Sequence, residues 1–444
     1  MQNRLLCISH RFPPETYPLA IRVKYFLNHL EEEGWTVDAV TAAPKATSQN
    51  GVCVHQVPSW TPRQLFQFVQ NLRLGKLLNW LVWPDEFLFW SIPAFRQALE
   101  LTTRHDYDAI CVFMMPYSQG LAGLALKRIT GLPLIMNLND SITCSDMNPS
   151  HPSRLHYWLA HKLEDAYVQA SDAVIYVSEE NMNRVRQRQS DAHRHKFHLI
   201  RRGVTALPEP GRASDKQNFN LLYTGGTSGW YKFLEREDEI SRAKAAYRAF
   251  NNLGRYQVTL LDHRTHGPII VGQAIKRVLK RRPEWQERLY IEVFGGRYPE
   301  DVEQAVLDRH GLNGIVRLHD KIPHEEVLER IQTAGLLFMA LPDRPDGTPG
   351  GRISAKTYEY LMTARPILAA LPPGENRTYL ADRPGVTLVE PSDIEAMSRA
   401  IEDAASMYFA GEDLQVDRSA LKPELLSTSR AEAFERVLKN VIEG

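Results

Sequence analysis

The feature that most constrains this chain is an alternation that runs through it twice. Short apolar runs of strand length are followed by segments with apolar residues at helical spacing, and then by another short run. In the first half the pattern predicts strands over 4–9, 36–41, 109–114, 133–138 and 173–177, with helices over 20–33, 119–130 and 153–170. Between His198 and Asn220 periodicity stops and Pro, Gly and polar residues dominate, the signature of an exposed linker. The alternation then restarts, with strands predicted over 221–224, 290–294, 316–319, 336–341, 367–371 and 386–389. Helices are predicted over 269–280, 299–310, 325–334, 355–363, 376–381 and 394–408. Strands alternating with helices imply parallel sheets covered on both faces. The expected fold class is therefore α/β, with two doubly wound Rossmann-like domains. We expect residues 1–205 and 218–425 to form them, a helix to be inserted within 233–253, and a final helix within 426–444 to pack back on the first domain. Such sheets bind ligands at the carboxyl ends of their strands, so the expected active site is a cleft where the two sets of ends face each other.

Composition limits the function classes. The 444 residues are 43% hydrophobic and 24% charged, ordinary for a folded globular protein. Fifty-three Lys and Arg against 53 Asp and Glu leave no net charge, and hence no global field for a nucleic-acid backbone. The four cysteines, Cys7, Cys53, Cys111 and Cys144, are too scattered for a zinc site or redox dithiol, which fits a reducing cytoplasm. The amino terminus reaches a double proline at Pro13 and Pro14 without an apolar leader segment, so secretion is not expected. Residues 77–95 are apolar but contain Asp85, Glu86, Pro84 and Pro93, which argues against a membrane span.

Candidate chemistry concentrates at strand ends in the second half. Residues 336–371 place an apolar strand before a loop with Gly347, Gly350 and Gly351, then Ser354 in position to cap a helix bearing Lys356 and Glu359. Glycines admit a ligand close to the backbone, a helix start favours an anion, and Arg352 and Lys356 add cations. This set suits a diphosphate, with Glu359 accepting from sugar or ribose hydroxyls; the alternative is a surface loop leading into an ordinary helix. At 221–233 a strand runs into Gly225, Gly226 and Thr227, with Lys232 nearby, a second turn able to admit phosphate. No dinucleotide fingerprint or Walker lysine is present, which speaks against nicotinamide and ATP chemistry. The first loop, 10–22, offers His10, Glu15, Thr16, Tyr17 and Arg22 to a cleft, or serves only as a proline-stiffened connection.

Taken in order, these segments resemble the retaining glycosyltransferases of the GT-B superfamily, specifically glycosyltransferase family four. FPPETYPLAIRVKYFLNHLEEEGWTVDAVTA looks like the family's opening, LPLIMNLNDS like the segment that ends here in Asn139 and Asp140, and HLIRRGVT like its hinge. LLYTGGTSGWYK is similar to the donor domain's first strand and phosphate loop, and ISAKTYEYLMTARPILAALP to its signature helix and strand. The resemblance implies a nucleotide-sugar donor, UDP-, GDP- or ADP-linked, in the carboxyl-terminal domain and a glycan or lipid-linked acceptor in the amino-terminal one. It implies transfer with retention, cell-surface polysaccharide or glycoconjugate synthesis, and neither metal nor cofactor. By that resemblance Lys232, Arg352 and Lys356 stabilise the leaving diphosphate. Gly225, Gly226, Thr227, Gly350, Gly351, Ser354 and Glu359 bind the donor, and Glu15, Thr16, Tyr17 and Asp140 line the acceptor side or cleft; Asp140 either contacts acceptor or orders its loop. Glu359 matches the second carboxylate of the family's paired motif, whereas Gly351 stands where the first is expected, and CVFMMPYSQG after the strand at Ala109 lacks the family's histidine. Two other readings stay open: a non-hydrolysing sugar-nucleotide epimerase, and a non-catalytic binder of glycans or nucleotide-sugars.

Three further stretches carry local expectations. Residues 64–90 mix aromatic and apolar residues with Arg73 and Lys76, either an interfacial membrane contact on the cytoplasmic face or a helical pair packed on the core. The basic run 184–202 is either a solvated helix face or an attraction to anionic membrane. His151, His156 and His161 recur five apart, which suits local hydrogen bonds and not a helical metal pair.

Overall fold

The computed structural model describes residues 3–15, 17–48, 51–59, 80–144, 146, 148–207, 217–226, 241–242, 246, 249–250, 252–295 and 300–444. The chain forms two compact units. One comprises Met1–Gly203, Phe250–Val258 and Leu426–Gly444; the other comprises Val204–Ala249 and Thr259–Leu425.

The first unit holds β1 (Arg4–Ile8), α1 (Pro18–Glu32), β2 (Thr36–Thr41), β3 (Val52–Gln56), α2 (Ser91–Arg104) and β4 (Ala109–Phe113). It continues with α3 (Gly120–Thr130), β5 (Leu134–Asn139), α4 (Arg154–Ala170), β6 (Ala173–Tyr176), α5 (Glu179–Gln187) and β7 (Phe197–Leu199). Its seven strands are ordered β3-β2-β1-β4-β5-β6-β7, and every pair is parallel. The central strands are buried on both faces, which is why they read as unbroken apolar runs. The helix Ser427–Glu443 completes one face: Phe434 stacks on Phe26 of α1 at 4.3 Å between ring centroids, and Glu435 accepts from Trp35 Nε1 at 3.1 Å.

The sequence reading assigns residues 250–258 to the second domain, and the structure corrects this. Tyr256–Gln257 forms a two-residue antiparallel bridge with Ser150–His151, Val258 donates to the Pro149 carbonyl at 2.8 Å, and Tyr256 packs on Tyr157. The reading also misses β3, β7 and α2.

The second unit holds β8 (Phe219–Thr224), α6 (Pro268–Arg281), β9 (Leu289–Phe294), α7 (Glu300–His310), β10 (Val316–His319), α8 (His324–Thr333) and β11 (Leu336–Ala340). It ends with α9 (Ala355–Leu361), β12 (Ile367–Ala370), α10 (Glu375–Leu380), β13 (Val386–Val389) and α11 (Ile394–Phe409). Its sheet is ordered β10-β9-β8-β11-β12-β13, again wholly parallel. The order reverses between β8 and β11. In a doubly wound sheet the crevice outside the carboxyl ends at that reversal is the ligand position. Most of the inserted segment expected within 233–253 lies outside the described residues.

Candidate active site

In the second unit the reversal point is flanked by Gly225 at the end of β8 and by the loop after β11 that leads into α9. Gly225 adopts φ 140°, and a Cβ built there would sit 2.6 Å from Lys356 Nζ and 3.6 Å from the Tyr223 hydroxyl. The backbone conformation disfavours a side chain at this position, and one placed there would displace the end of Lys356. The lysine of α9 also lies over the Tyr223 ring, 4.2 Å from its centroid. Gly225 donates to the Phe294 carbonyl at 2.7 Å, and Tyr360 on the buried face of α9 accepts from the Thr224 backbone N–H at 3.3 Å. Strand end and helix are thus locked together, with Lys356 and the Tyr223 hydroxyl converging on the small space above Gly225.

A short turn borders the same place. His266 Nε2 is hydrogen-bonded to the Tyr223 hydroxyl at 3.1 Å, and His263 lies 6.4 Å from it between ring centroids. The turn is tied to the loop after β11: Asp262 donates its backbone N–H to the Asp343 carbonyl at 2.8 Å, and Asp343 N–H donates to Thr265 Oγ1 at 2.9 Å. The pKa of His266 is pushed down to about 3, by burial first and then by Lys356, Arg352 and His263. A neutral imidazole among cations marks a locally positive field. Sequence reasoning missed this histidine; its signal is the pair His263 and His266 directly before a helix that opens on Pro268.

The other expected donor residues divide. Arg352 is exposed, and it reaches His266 and His263 electrostatically. Gly226 is exposed at the mouth, while Gly350 and Gly351 are buried. Gly350 forms a bridge to Gly374, donating to the Pro373 carbonyl at 3.1 Å and accepting from Glu375 N–H at 2.7 Å, so its backbone holds two loops together and its N–H is already engaged. Ser354 occupies the position before α9, but its hydroxyl makes no capping bond, which corrects the expectation of a side-chain cap. Because α9 has only seven residues, its dipole is short and the side-chain cations carry most of the positive field. Glu359 is half-buried and faces His324 Nε2 at 3.6 Å. Thr227 and Lys232 lie outside the described residues.

In the first unit the loop after β1 gathers around Arg11, which pairs with Glu15 at 3.4 Å and lies over the exposed Tyr17 ring at 5.3 Å. Thr16 lies outside the described residues. Arg22, expected at a cleft, is instead buried and donates to the carbonyls of Ile200 (2.8 Å) and Arg201 (3.1 Å). Asp140 is buried at the end of β5, after Asn139 in the left-handed region at φ 54°. The following turn is held by the buried Glu164 of α4, which accepts from Ser141 Oγ, Ile142 N–H, Thr143 Oγ1 and Arg188.

Among the described residues one group has the ligand types of a metal centre: Asp38, Cys53 and His55. Asp38 already accepts from Arg4, Tyr107 and His55, so the group acts as a polar staple across β1, β2 and β3. None of the four cysteines forms a disulfide. No helix among the described residues is long and apolar enough to cross a membrane. Of the aromatic stretch 64–90, residues 64–79 lie outside the described residues; Trp90 is a core residue donating to the Val57 carbonyl, whereas Trp80 and Leu81 are exposed. The basic run is largely neutralised: Arg184 pairs with Glu180, Arg188 with Glu164 and Asp165, Arg194 with Asp191, and Arg201 with Glu179. His156 bonds locally to Ser153 Oγ and, against the expectation of local bonding alone, to the carbonyl of the distant Trp80.

Comparison with known proteins adds a class to this geometry. Residues 19–203 match the family model described as "Glycosyl transferase 4-like domain". The whole chain is similar in fold to solved glycosyltransferases of the GT-B type. Sucrose-phosphate synthase from Thermosynechococcus elongatus superposes with a TM-score of 0.60 at 15% identity, covering 99% of this chain and 97% of that one. The α,α-trehalose 6-phosphate synthase of Burkholderia multivorans gives 0.61 at 15% identity, with the same coverage of 99% and 97%. The HepE protein of Anabaena, solved in complex with UDP-glucose, gives 0.60 at 12% identity, covering 98% and 99%. At such identities the likeness establishes the fold alone. No curated protein matches the sequence.

Proposed function

We propose that this protein is a glycosyltransferase that takes a sugar from a nucleoside diphosphate held at the β8–β11 reversal of the second unit. The observation that carries this reading is the convergence of Lys356 and the Tyr223 hydroxyl on the space above Gly225, with Arg352 nearby. As the sugar–phosphate bond breaks, negative charge develops on the leaving diphosphate, and preorganised cations in a partly dry site stabilise it as an oxyanion hole does. Lys356 and Arg352 supply that charge without requiring a metal, and Glu359 is placed one turn further along α9 to accept from sugar or ribose hydroxyls. The solved relative that holds UDP-glucose supports a UDP-sugar as the first donor to try. The acceptor, in this reading, is a glycan or lipid-linked sugar bound by the first unit near Glu15, Tyr17 and Asp140, and transfer retains the anomeric configuration in cell-surface polysaccharide or glycoconjugate synthesis. A reducing, cytoplasmic setting is part of this reading.

The test is a panel of UDP-, GDP- and ADP-sugars offered to purified protein, with binding and slow hydrolysis as readouts. Binding of one class, weakened by Lys356→Ala, supports the reading; no binding and no hydrolysis across the panel overturns it. One observation favours a second reading, a non-catalytic nucleotide-sugar binder: a buried Gly351 stands where the resemblance places a carboxylate. Tight binding without turnover on any acceptor would select it.

A further inference from the structure

We propose that His266 is a donor-site residue that takes up a proton as the diphosphate binds, reversing its hydrogen bond with Tyr223 so that the tyrosine donates to a phosphate oxygen. The inference rests on the donor reading above and concerns the same crevice. Tyr223 is the last but one residue of β8, and its hydroxyl stands 3.6 Å from the point a Gly225 Cβ would occupy, while Lys356 Nζ stands 2.6 Å from it. The space a side chain would fill is therefore approached by one cation and one hydroxyl. That hydroxyl is shared with His266 Nε2 at 3.1 Å.

A neutral imidazole with its proton on Nδ1 presents Nε2 as an acceptor, so the Tyr223 O–H is spent on the histidine. An imidazolium can only donate. Protonation from solvent at Nε2 turns the bond around, the tyrosine oxygen becomes the acceptor, and its O–H is released to point at an anion above Gly225. No other bond is made or broken.

The charges around His266 set when this happens. Tyr223 faces it from β8, Arg352 from the loop before α9, Lys356 from α9 and His263 from its own turn. The acidic groups near that turn are engaged: Asp262 is paired with Arg264 at 2.6 Å, and Glu359 of α9 lies against His324. Without ligand, burial and the surrounding cations keep the ring neutral, with a pKa near 3. A phosphate charge beside the ring favours the imidazolium over the neutral imidazole, so the two charges of a bound diphosphate diester raise the pKa of His266. Proton uptake and donor binding are then linked. Affinity is flat well above pH 7 and rises as pH falls, by about tenfold between pH 8 and pH 6.

The experiment is calorimetric titration of the full-length protein with UDP-glucose, and with GDP-mannose and ADP-glucose, at pH 6 and pH 8 in pairs of buffers of different ionisation enthalpy. These donors carry no phosphate that titrates in this range. The expected result is uptake of about half a proton or more per donor at pH 6 and little at pH 8. His266→Gln, which keeps a polar partner for Tyr223, abolishes the uptake and flattens the pH dependence, whereas His310→Gln, at the end of α7, preserves both. Donor binding without proton uptake in the unmodified protein, or uptake that survives His266→Gln, overturns this inference and leaves the donor reading intact. Failure of every donor to bind overturns both.

Discussion

Lys356 Nζ lies 4.2 Å from the centre of the Tyr223 ring and projects over Gly225, so a helix side chain covers the end of the strand beside the sheet's reversal. A cation held against an aromatic face is fixed in direction without being neutralised, and it keeps its charge for a ligand. This arrangement exists because residue 225 has no Cβ. Its φ of 140° disfavours one, and a Cβ there would have to push the end of Lys356 aside; just after β9, a Cβ on Gly295 would collide with the Gly225 carbonyl, so the backbones of this turn meet only as two glycines.

Gly225→Ala therefore displaces Lys356 and strains the turn, at a cost of order 1–3 kcal/mol. We expect donor affinity to fall by about tenfold or more, with the far-UV spectrum unchanged. Donor titration of the variant checks this; unchanged affinity would remove Lys356 from the site.

Glu164 is a buried carboxylate with its oxygens taken up by Ser141, Ile142, Thr143 and Arg188. Removing one partner of a buried pair leaves the other uncompensated, at about 3–5 kcal/mol. Glu164→Ala should lower the denaturation midpoint sharply, and Glu164→Gln less, because the amide still accepts from the turn. Equal midpoints for all three proteins would show that the turn after β5 is held by other means.

Three histidines are pushed furthest toward the neutral form by the fold. His10 and His151 are pushed down to about 4, each by burial first, and His266 to about 3. Between the ordinary value of 6.5 and those values the unfolded chain binds more protons than the folded one, so stability is lost as pH falls. The limiting slope is about 1.4 kcal/mol per pH unit for each. Thermal midpoints should hold steady above pH 7 and fall between pH 6.5 and 5, a window in which ordinary carboxylates remain ionised. The fall should be smaller in His151→Gln. A midpoint that rises with acidification would contradict the assignment.

Phe434 closes one face of the first unit by stacking on Phe26 and packing near Phe113. Truncation to Ala opens a cavity worth about 3–5 kcal/mol. Urea unfolding of Phe434→Ala should show that loss with little effect on donor binding. A loss under 1 kcal/mol would mean that the C-terminal helix contributes little to this core.

Much of the fold could be read because its strands are central and parallel. LLCI, AICVF and LLFMA are buried on both faces, so each is apolar throughout and stands out from its surroundings. The missed elements lack that signal. In β3 only Val52 is buried, since the strand lies at an edge, and β7 is three half-buried residues within a basic run. The helix α2 follows the aromatic stretch and carries Pro93 in its first turn, which hid its periodicity. Residues 250–258 join the first unit through backbone bonds to Pro149 and His151, which no local pattern announces.

At the candidate site, glycine and cation placement were legible because both follow from strand ends and helix starts. The role of Gly350 was not, since it depends on the backbone groups of a distant loop that it engages, and the absent Ser354 cap left no sign in the sequence. His266 was invisible because its significance lies in a tertiary hydrogen bond to Tyr223, 43 residues away.

The central claim is that the β8–β11 reversal holds a nucleoside-diphosphate sugar, and the most direct measurement is equilibrium binding of UDP-glucose, GDP-mannose and ADP-glucose to the unmodified protein beside Lys356→Ala. The account predicts saturable binding of at least one of them, weakened by about tenfold or more in the variant. Binding of none, or equal binding by both proteins, would contradict it.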